Sequence, residues 1–218
     1  MTKREFMLAG LGAGLALGGK RALAQREDSA PRRVAKTTKL FKSPSGFPNA
    51  VDATPEGLWI AEQKMSGEQA KQYGVTPPKD LSEAAWLVDW KGKLWISALR
   101  LRGALRVDPK TWEPEFMIPF YQGPNVSRYH ATAWDNGAIW QVTGNNSTSY
   151  AEGRPGLVKY DAATGRVLEI VDFAPGSCDP HGLTMHDGAL ISCDAGIHPN
   201  WPTNDSPTAG WIFRIDIA

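Results

Sequence analysis

The chain carries no excess of charge: 24 basic and 23 acidic side chains in 218 residues. That balance removes the usual ground for expecting nucleic acid or an anionic membrane as partner. It has no Gly-rich phosphate loop, no Cys-x-x-Cys pair, no His-Glu-x-x-His and no Gly-x-Ser-x-Gly turn. The motif-borne chemistries of nucleotide binding, structural zinc, zincin proteolysis and serine hydrolysis therefore find no support. There are only two cysteines and four histidines, and no apolar run is long enough for a good membrane span.

What is present begins with an export signal. Lys3 and Arg4 precede the weakly hydrophobic "FMLAGLGAGLALGG", and Ala22-Leu23-Ala24 supplies the small residues of a cleavage site. "TKREFML" resembles the twin-arginine export motif with Lys3 in the first arginine's place, and the ordinary secretory route stays open. Cleavage after Ala24 takes four of the basic residues and one acidic residue, leaving a formal charge of −2. The expectation is a periplasmic or secreted protein, off the membrane once the signal is removed. Residues 25–37 would form a mature N-terminal segment and residues 38–218 a single domain. In an exporting compartment Cys178 and Cys193, fifteen residues apart, are expected to form a disulfide rather than stay as two thiols.

Sixteen prolines, 22 glycines and nine tryptophans suit short strands joined by many turns. The spacing then shows a repeat. "EGLWIAEQ", "KGKLWISAL", "NGAIWQVTG" and "DGALISCDAG" each read as a tight turn feeding a β-strand. Their apolar anchors, Leu58, Leu94, Ile139 and Leu190, are 36, 45 and 51 residues apart. Each stretch has a companion, an apolar strand ending at Asp89, Asp108, Asp161 or Asp216. Naming these strands B and C, "HGLTM" supplies a strand A and "RVLEIVDF" a strand D. The pattern predicts an all-β protein, a β-propeller of about four blades. Trp59, Trp95 and Trp140 would pack between blades.

One repeat is short. From the strand-C aspartate to the next anchor takes 31 residues after Asp108 and 29 after Asp161, but five after Asp89. About half a blade is missing between the first and second repeats, unless "LVDWKGKLWIS" is itself a C–D hairpin. The last repeat ends on a strand C, so "TTKLFKSP" near the mature N-terminus is expected to supply its strand D and close the ring.

Nine residues before the anchors stand Asn49, His130 and His181, at the start of strand A and hence at the channel mouth. The second repeat places Ala85 there, as a missing strand A would. Four residues after the anchors stand Glu62, Ala98, Thr143 and Asp194, which gives two carboxylates on the same face. The insertions at 62–83, 144–156 and 195–210 read as B–C loops crowning that face. A small-molecule ligand or a metal would suit this cluster; strand-end capping would also explain it. His186 and His198 do not continue the pattern.

"FPNAVDATPEGLWIAEQ", "YHATAWDNGAIW" and "PHGLTMHDGALISCDAG", with "RVDPKTW" and "KYDAATGRV" between, resemble the exported propellers related to virginiamycin B (streptogramin) lyase. They are more distantly similar to the gluconolactonase and senescence-marker family. The lyase resemblance implies a catalytic histidine, matched by His181 with His130 as second candidate, and a divalent ion such as Mg²⁺. The lactonase resemblance implies a metal such as Ca²⁺ near Glu62, Asn49 and Asp194. Two functions follow: a metal-assisted lyase or lactonase acting on a small molecule or cyclic ester, or a non-catalytic propeller binding a ligand or protein through its loop-rich face.

Overall fold

The computed structural model describes residues 30–43, 46–62, 87–90, 93–98, 101–122, 128–144, 156–195 and 208–218. They form β-strands and turns, with no α-helix among them. The first sheet pairs β2 (Pro48–Thr54) with β3 (Gly57–Glu62). The second runs β4 (Leu87–Trp90), β5 (Lys93–Ala98), β6 (Gly103–Val107) and β7 (Pro114–Pro119), each antiparallel to the next. β8 (Arg128–Asp135), β9 (Ala138–Gly144), β10 (Gly156–Asp161) and β11 (Val167–Phe173) repeat that order. The fourth blade is β12 (Leu183–His186), β13 (Ala189–Cys193) and β14 (Trp211–Ile217), completed by β1 (Arg32–Lys42). The all-β propeller arrangement is therefore present, among the described residues, as three four-stranded blades and one two-stranded sheet.

The turns follow from residue chemistry. All four A–B hairpins have two-residue loops, set by the pairs Thr54↔Gly57, Trp90↔Lys93, Asp135↔Ala138 and His186↔Ala189. Asn136-Gly137 and Asp187-Gly188 both take positive φ, the geometry that matches strand twist in a tight hairpin. Asp108 and Asp161 end their strands by capping, while Asp216 lies within β14 and accepts from Thr38 and Arg214. Asp161 Oδ1 accepts from the Ala163 and Thr164 N–H groups at 3.1 and 2.7 Å, and from the Thr164 hydroxyl. Asp108 likewise takes the Lys110 N–H and an ion pair from Lys93. The Lys93 ammonium, followed by the Lys110 N–H, holds the Asp108 carboxyl at about 2.

β1 completes the fourth blade from the predicted end of the chain. Ala35–Lys42 runs antiparallel to β14. Arg32–Ala35, ahead of residue 38, pairs in parallel with β11. The two last blades thus become one eight-stranded sheet. Arg32 bonds to Asp172 and Arg33 to Glu169, while Arg33 also donates to the Ile217 and Ala218 carbonyls.

Three apolar clusters fill the spaces between blades. One lies between the second and third blades around Trp95, Ile118, Ile139 and Tyr160. Another joins the third and fourth through Trp140, Leu157, Leu190 and Phe213. A third joins the fourth to the first through Ile191, Ile212 and Val51, with Leu58 and Ile60 packed against it. The anchors Ile139, Leu190 and Leu58 face the preceding blade, and the residues after the anchor, Trp95, Trp140 and Ile191, face the next.

That rule explains two departures from the sequence reading. Leu87–Trp90 is strand A of the second blade, not a strand C or half of a C–D hairpin: β5 pairs onward with β6, and Asp89 stands opposite Leu94 inside the A–B hairpin. Among the described residues it is the first sheet that shows only an inner pair of strands, and the second blade keeps its strand A. Trp59 is the second departure. Trp95 is fully buried and Trp140 nearly so, but Trp59 is 63% exposed, its indole N–H donating to Thr54 Oγ1. It stands on the face of β3 opposite Leu58 and Ile60, and belongs to none of the three clusters. Ala85 and the insertion at 63–83 lie outside the described residues, and the insertion joins a strand B to a strand A. The segments at 145–155 and 196–207 do connect strands B and C.

Removing the Asp161 cap tests the turn analysis. Asp161→Ala is expected to cost about 1 kcal/mol, and to lower the melting temperature by roughly 2–4 °C in circular dichroism.

Candidate functional site

β12 packs against both β2 and β8, so the innermost strands of the first, fourth and third blades lie side by side. Asn49, His130 and His181 stand at the same end of these strands, and one irregularity is common to all three. In β2 the register shifts between Pro48 and Ala50, leaving Asn49 as an extra residue. In β8 it shifts between Tyr129 and Thr132, around His130 and Ala131. Ahead of β12, His181 N–H bonds the Cys193 carbonyl at 2.9 Å, yet Leu183 pairs with Ser192, again one residue too many. A bulge of one residue reverses the alternation of side chains and re-aims those beside it.

The bulges bring the histidines together. The His130 and His181 rings lie 4.5 Å apart between centroids, tilted by 39°. The Ala131 N–H also donates to the His181 carbonyl at 3.2 Å, tying the two blades by their backbones. The rings are 8% and 4% exposed. His181 Nδ1 lies 3.3 Å from the Asp179 carbonyl; a proton on Nδ1 leaves Nε2 the lone pair a base needs.

β2, the strand that carries Asn49, packs on β12 from the other side. A Cβ on Gly182 would sit 2.9 Å from both the Ala50 Cα and carbonyl carbon, and 2.6 Å from the Val51 nitrogen. Glycine at 182 is what lets the first sheet lie against the fourth blade, beside His181.

Residues not singled out in the sequence hold this end in place. Gln141 Nε2 donates to the His130 and Ala131 carbonyls at 3.0 and 3.2 Å. Its amide also closes a ring of hydrogen bonds with Ser97 and Thr132. At the equivalent place in the fourth blade, the Ser192 hydroxyl donates to the Gly182 carbonyl. Both residues are fully buried. Each satisfies a carbonyl that a bulge frees from its ladder, which would otherwise cost about 1–3 kcal/mol. The signal was a polar residue two positions after the strand-B anchor, inside an otherwise apolar strand.

Glu62 and Asp194 perform matching tasks. Glu62 Oε2 accepts from the Phe47 N–H at 2.9 Å, and Asp194 Oδ2 from the Asp179 N–H at 3.1 Å. Asp194 Oδ2 also takes the Thr208 hydroxyl at 2.5 Å. Each carboxylate thus caps the chain two residues ahead of Asn49 or His181. Among the described residues no three His, Cys, Asp or Glu side chains come together as metal ligands. Mg²⁺ and Ca²⁺ favour several oxygen donors, and the two nearest carboxylates are turned toward backbone N–H groups. Among the described residues these donors do not form a set that fits such an ion.

No family model and no curated protein matches this chain. Solved structures similar to it include the glutaminyl cyclase of Myxococcus xanthus, with a TM-score of 0.49 and 15% identity, covering 87% of this chain and 100% of that one. Another is a luciferin-regenerating enzyme, with a TM-score of 0.43 and 12% identity. That match covers 74% of this chain and 48% of that one. Similarity at this level assigns no activity.

The expected disulfide is absent: Cys178 and Cys193 are free thiols. They face opposite sides of the fourth blade, Cys178 in the cluster shared with the third and Cys193 in the cluster shared with the first. Burial raises the Cys178 thiol to about 11. Burial, then the nearby Asp194 and Glu62 carboxylates, pushes Cys193 well above the usual thiol range. His186 lies at the opposite end of β12, exposed beside Asp187. That end holds a separate cavity of about 190 Å³ lined by Asp52, Trp134, Thr184 and Met185. His198 lies outside the described residues.

Neither thiol should react with a thiol reagent at pH 8 in the native protein, whereas both should react after unfolding without reductant. Gly182→Ala should lower stability by roughly 1–3 kcal/mol, read by denaturant unfolding, because only backbone atoms stand in the way and the first sheet must move.

Proposed function

We propose that the protein is an exported propeller that binds a small molecule at the Asn49–His130–His181 mouth and opens a cyclic ester there, by elimination or hydrolysis. The observation that carries this reading is the close approach of two imidazoles from adjacent blades. Two imidazolium charges at that separation repel, so the pair holds one proton more readily than two. In this reading one ring acts as base and its neighbour supplies a proton, the division of labour that acid–base catalysis needs. In an elimination, the neutral imidazole takes a carbon-bound proton as the ring C–O bond breaks. The protonated imidazole gives its proton to the carboxylate that leaves, so the pair again holds one. In a hydrolysis, the same base takes a proton from water as its oxygen attacks the ester carbonyl, and the neighbouring imidazole protonates the alkoxide released when the ring C–O bond breaks.

The resemblance of "PHGLTMHDGALISCDAG" to the streptogramin lyases supports His181 as the base. Asn49, an uncharged donor and acceptor beside it, is suited to orient a carbonyl. Mg²⁺ and Ca²⁺ enter the assay only as variables, since the lyase and lactonase resemblances imply a divalent ion. The second reading is a propeller that binds its ligand without turnover. The depth of burial of both imidazoles favours it, because buried rings also serve to fill and tie a channel wall.

A panel of lactones and cyclic depsipeptides, assayed with and without Mg²⁺ and Ca²⁺, separates the readings. Turnover is expected to fall roughly 10²-fold or more in His181→Ala and in His130→Ala. Mass spectrometry distinguishes the two chemistries, since hydrolysis adds one water and elimination adds nothing. Ligand binding by the wild type, weakened in both variants but with no ring opening across the panel, would overturn the enzyme reading in favour of the binding one.

A further inference from the structure

The inner strands β2, β8 and β12 enclose a second space at the end opposite the histidines, toward their A–B turns. It measures about 190 Å³. Ala53 and Ala133 on its wall end at Cβ, where larger residues would fill it. The wall is not uniformly apolar. Thr184 is buried, and its hydroxyl is fully committed: Oγ1 accepts the Ala53 N–H at 3.2 Å, and its proton goes to Asp52 Oδ1 at 3.3 Å. No proton of that hydroxyl is left for a ligand. Asp52 is exposed, and a carboxylate accepts several more donors than one hydroxyl. Among the described residues no cationic side chain pairs with it. Trp134 and Met185, both half-buried, bring an indole and a thioether to the same space. The exposed Glu56 and Asp187 stand on A–B turns at this end, with His186 beside Asp187.

We propose that this cavity binds a small organic cation, a primary ammonium on an apolar body about the size of a benzene ring. The lining decides the charge. An anion would meet the Asp52 carboxylate and no side-chain donor from Thr184. A wholly apolar molecule would take water from that carboxylate and return no hydrogen bond. An ammonium donates to Asp52, while its apolar body lies among Ala53, Ala133, Trp134 and Met185. The indole and the polarisable sulfur both favour such a cation. Size agrees as well: a cavity of about 150 Å³ holds benzene, so this one has room for the carbon that carries the ammonium. The site lies at the other end of the strands that carry Asn49, His130 and His181, and does not rest on the reaction proposed there.

The test titrates the isotopically labelled full chain with benzylammonium and, separately, with benzyl alcohol, its neutral counterpart, followed by NMR. Benzylammonium should move the amide signals of Ala53, Trp134 and Met185, and should bind roughly tenfold or more tightly than the alcohol. Asp52→Asn keeps an acceptor for the Thr184 hydroxyl but removes the charge. It should weaken the ammonium roughly tenfold or more and leave the alcohol as in the wild type. Ala53→Leu fills the space and should abolish both titrations; if it misfolds, Asp52→Asn, at an exposed residue, decides alone. His181→Ala should change neither titration. The proposal is overturned by a wild type whose three amides do not move, by equal affinity for the ammonium and the alcohol, or by an Asp52→Asn variant that binds as the wild type does. Loss of binding in His181→Ala would place the ligand at the opposite mouth and overturn it too.

Discussion

β1 holds two blades at once. Its first residues lie in parallel register with β11, the rest lies antiparallel to β14, and Ala35 belongs to both ladders. The third and fourth blades are therefore fixed to one another at the rim by backbone hydrogen bonds, as well as by the apolar cluster between them. At the axis the same two blades meet through the Ala131 N–H and the His181 carbonyl. Rim and axis together set the angle between the blades, and that angle sets the separation of His130 and His181. The imidazole pair is thus a consequence of how the ring is stapled, even though no residue of β1 is near it in sequence.

Most of the architecture could be read from turn chemistry and spacing. The Asn136-Gly137 and Asp187-Gly188 turns, the anchors Ile139 and Leu190, and the aspartates that cap strand-C ends all describe local backbone needs that leave a mark on the sequence. The second blade misled because Asp89 resembles a strand-C aspartate, while its place in the ladder depends on which neighbour β5 pairs with next. Local pattern does not contain that information. Trp59 shows the same limit. It occupies the position of Trp95 and Trp140, yet what a tryptophan packs against is decided by the next blade.

The site was legible in register but not in mechanism of assembly. A constant step from the anchors placed Asn49, His130 and His181 at one level. The one-residue bulges that aim them left only faint traces, in Gln141 and Ser192, whose polar groups meet the displaced carbonyls. Glu62 and Asp194 were visible as a pair of carboxylates at equivalent positions. Their partners, the Phe47 and Asp179 N–H groups, are backbone donors that every sequence contains, so their capping task could not be separated from ligand binding without coordinates. The two cysteines were misjudged for a related reason: closeness along the chain says nothing about the side of a sheet on which each side chain emerges.

The weaving of β1 between two blades also dictates an order of events as the chain folds. Thr38 and its partner Asp216 are 178 residues apart, so the strand made first waits for nearly the whole domain before its ladder can form. Contacts this distant in sequence demand a large loop closure and slow the final step. Until then the edges of β11 and β14 stand open, and the protein is at its most vulnerable to misassembly late in synthesis rather than early. A chain so arranged folds in earnest only when complete, and the last contacts made are those on which the histidine pair depends.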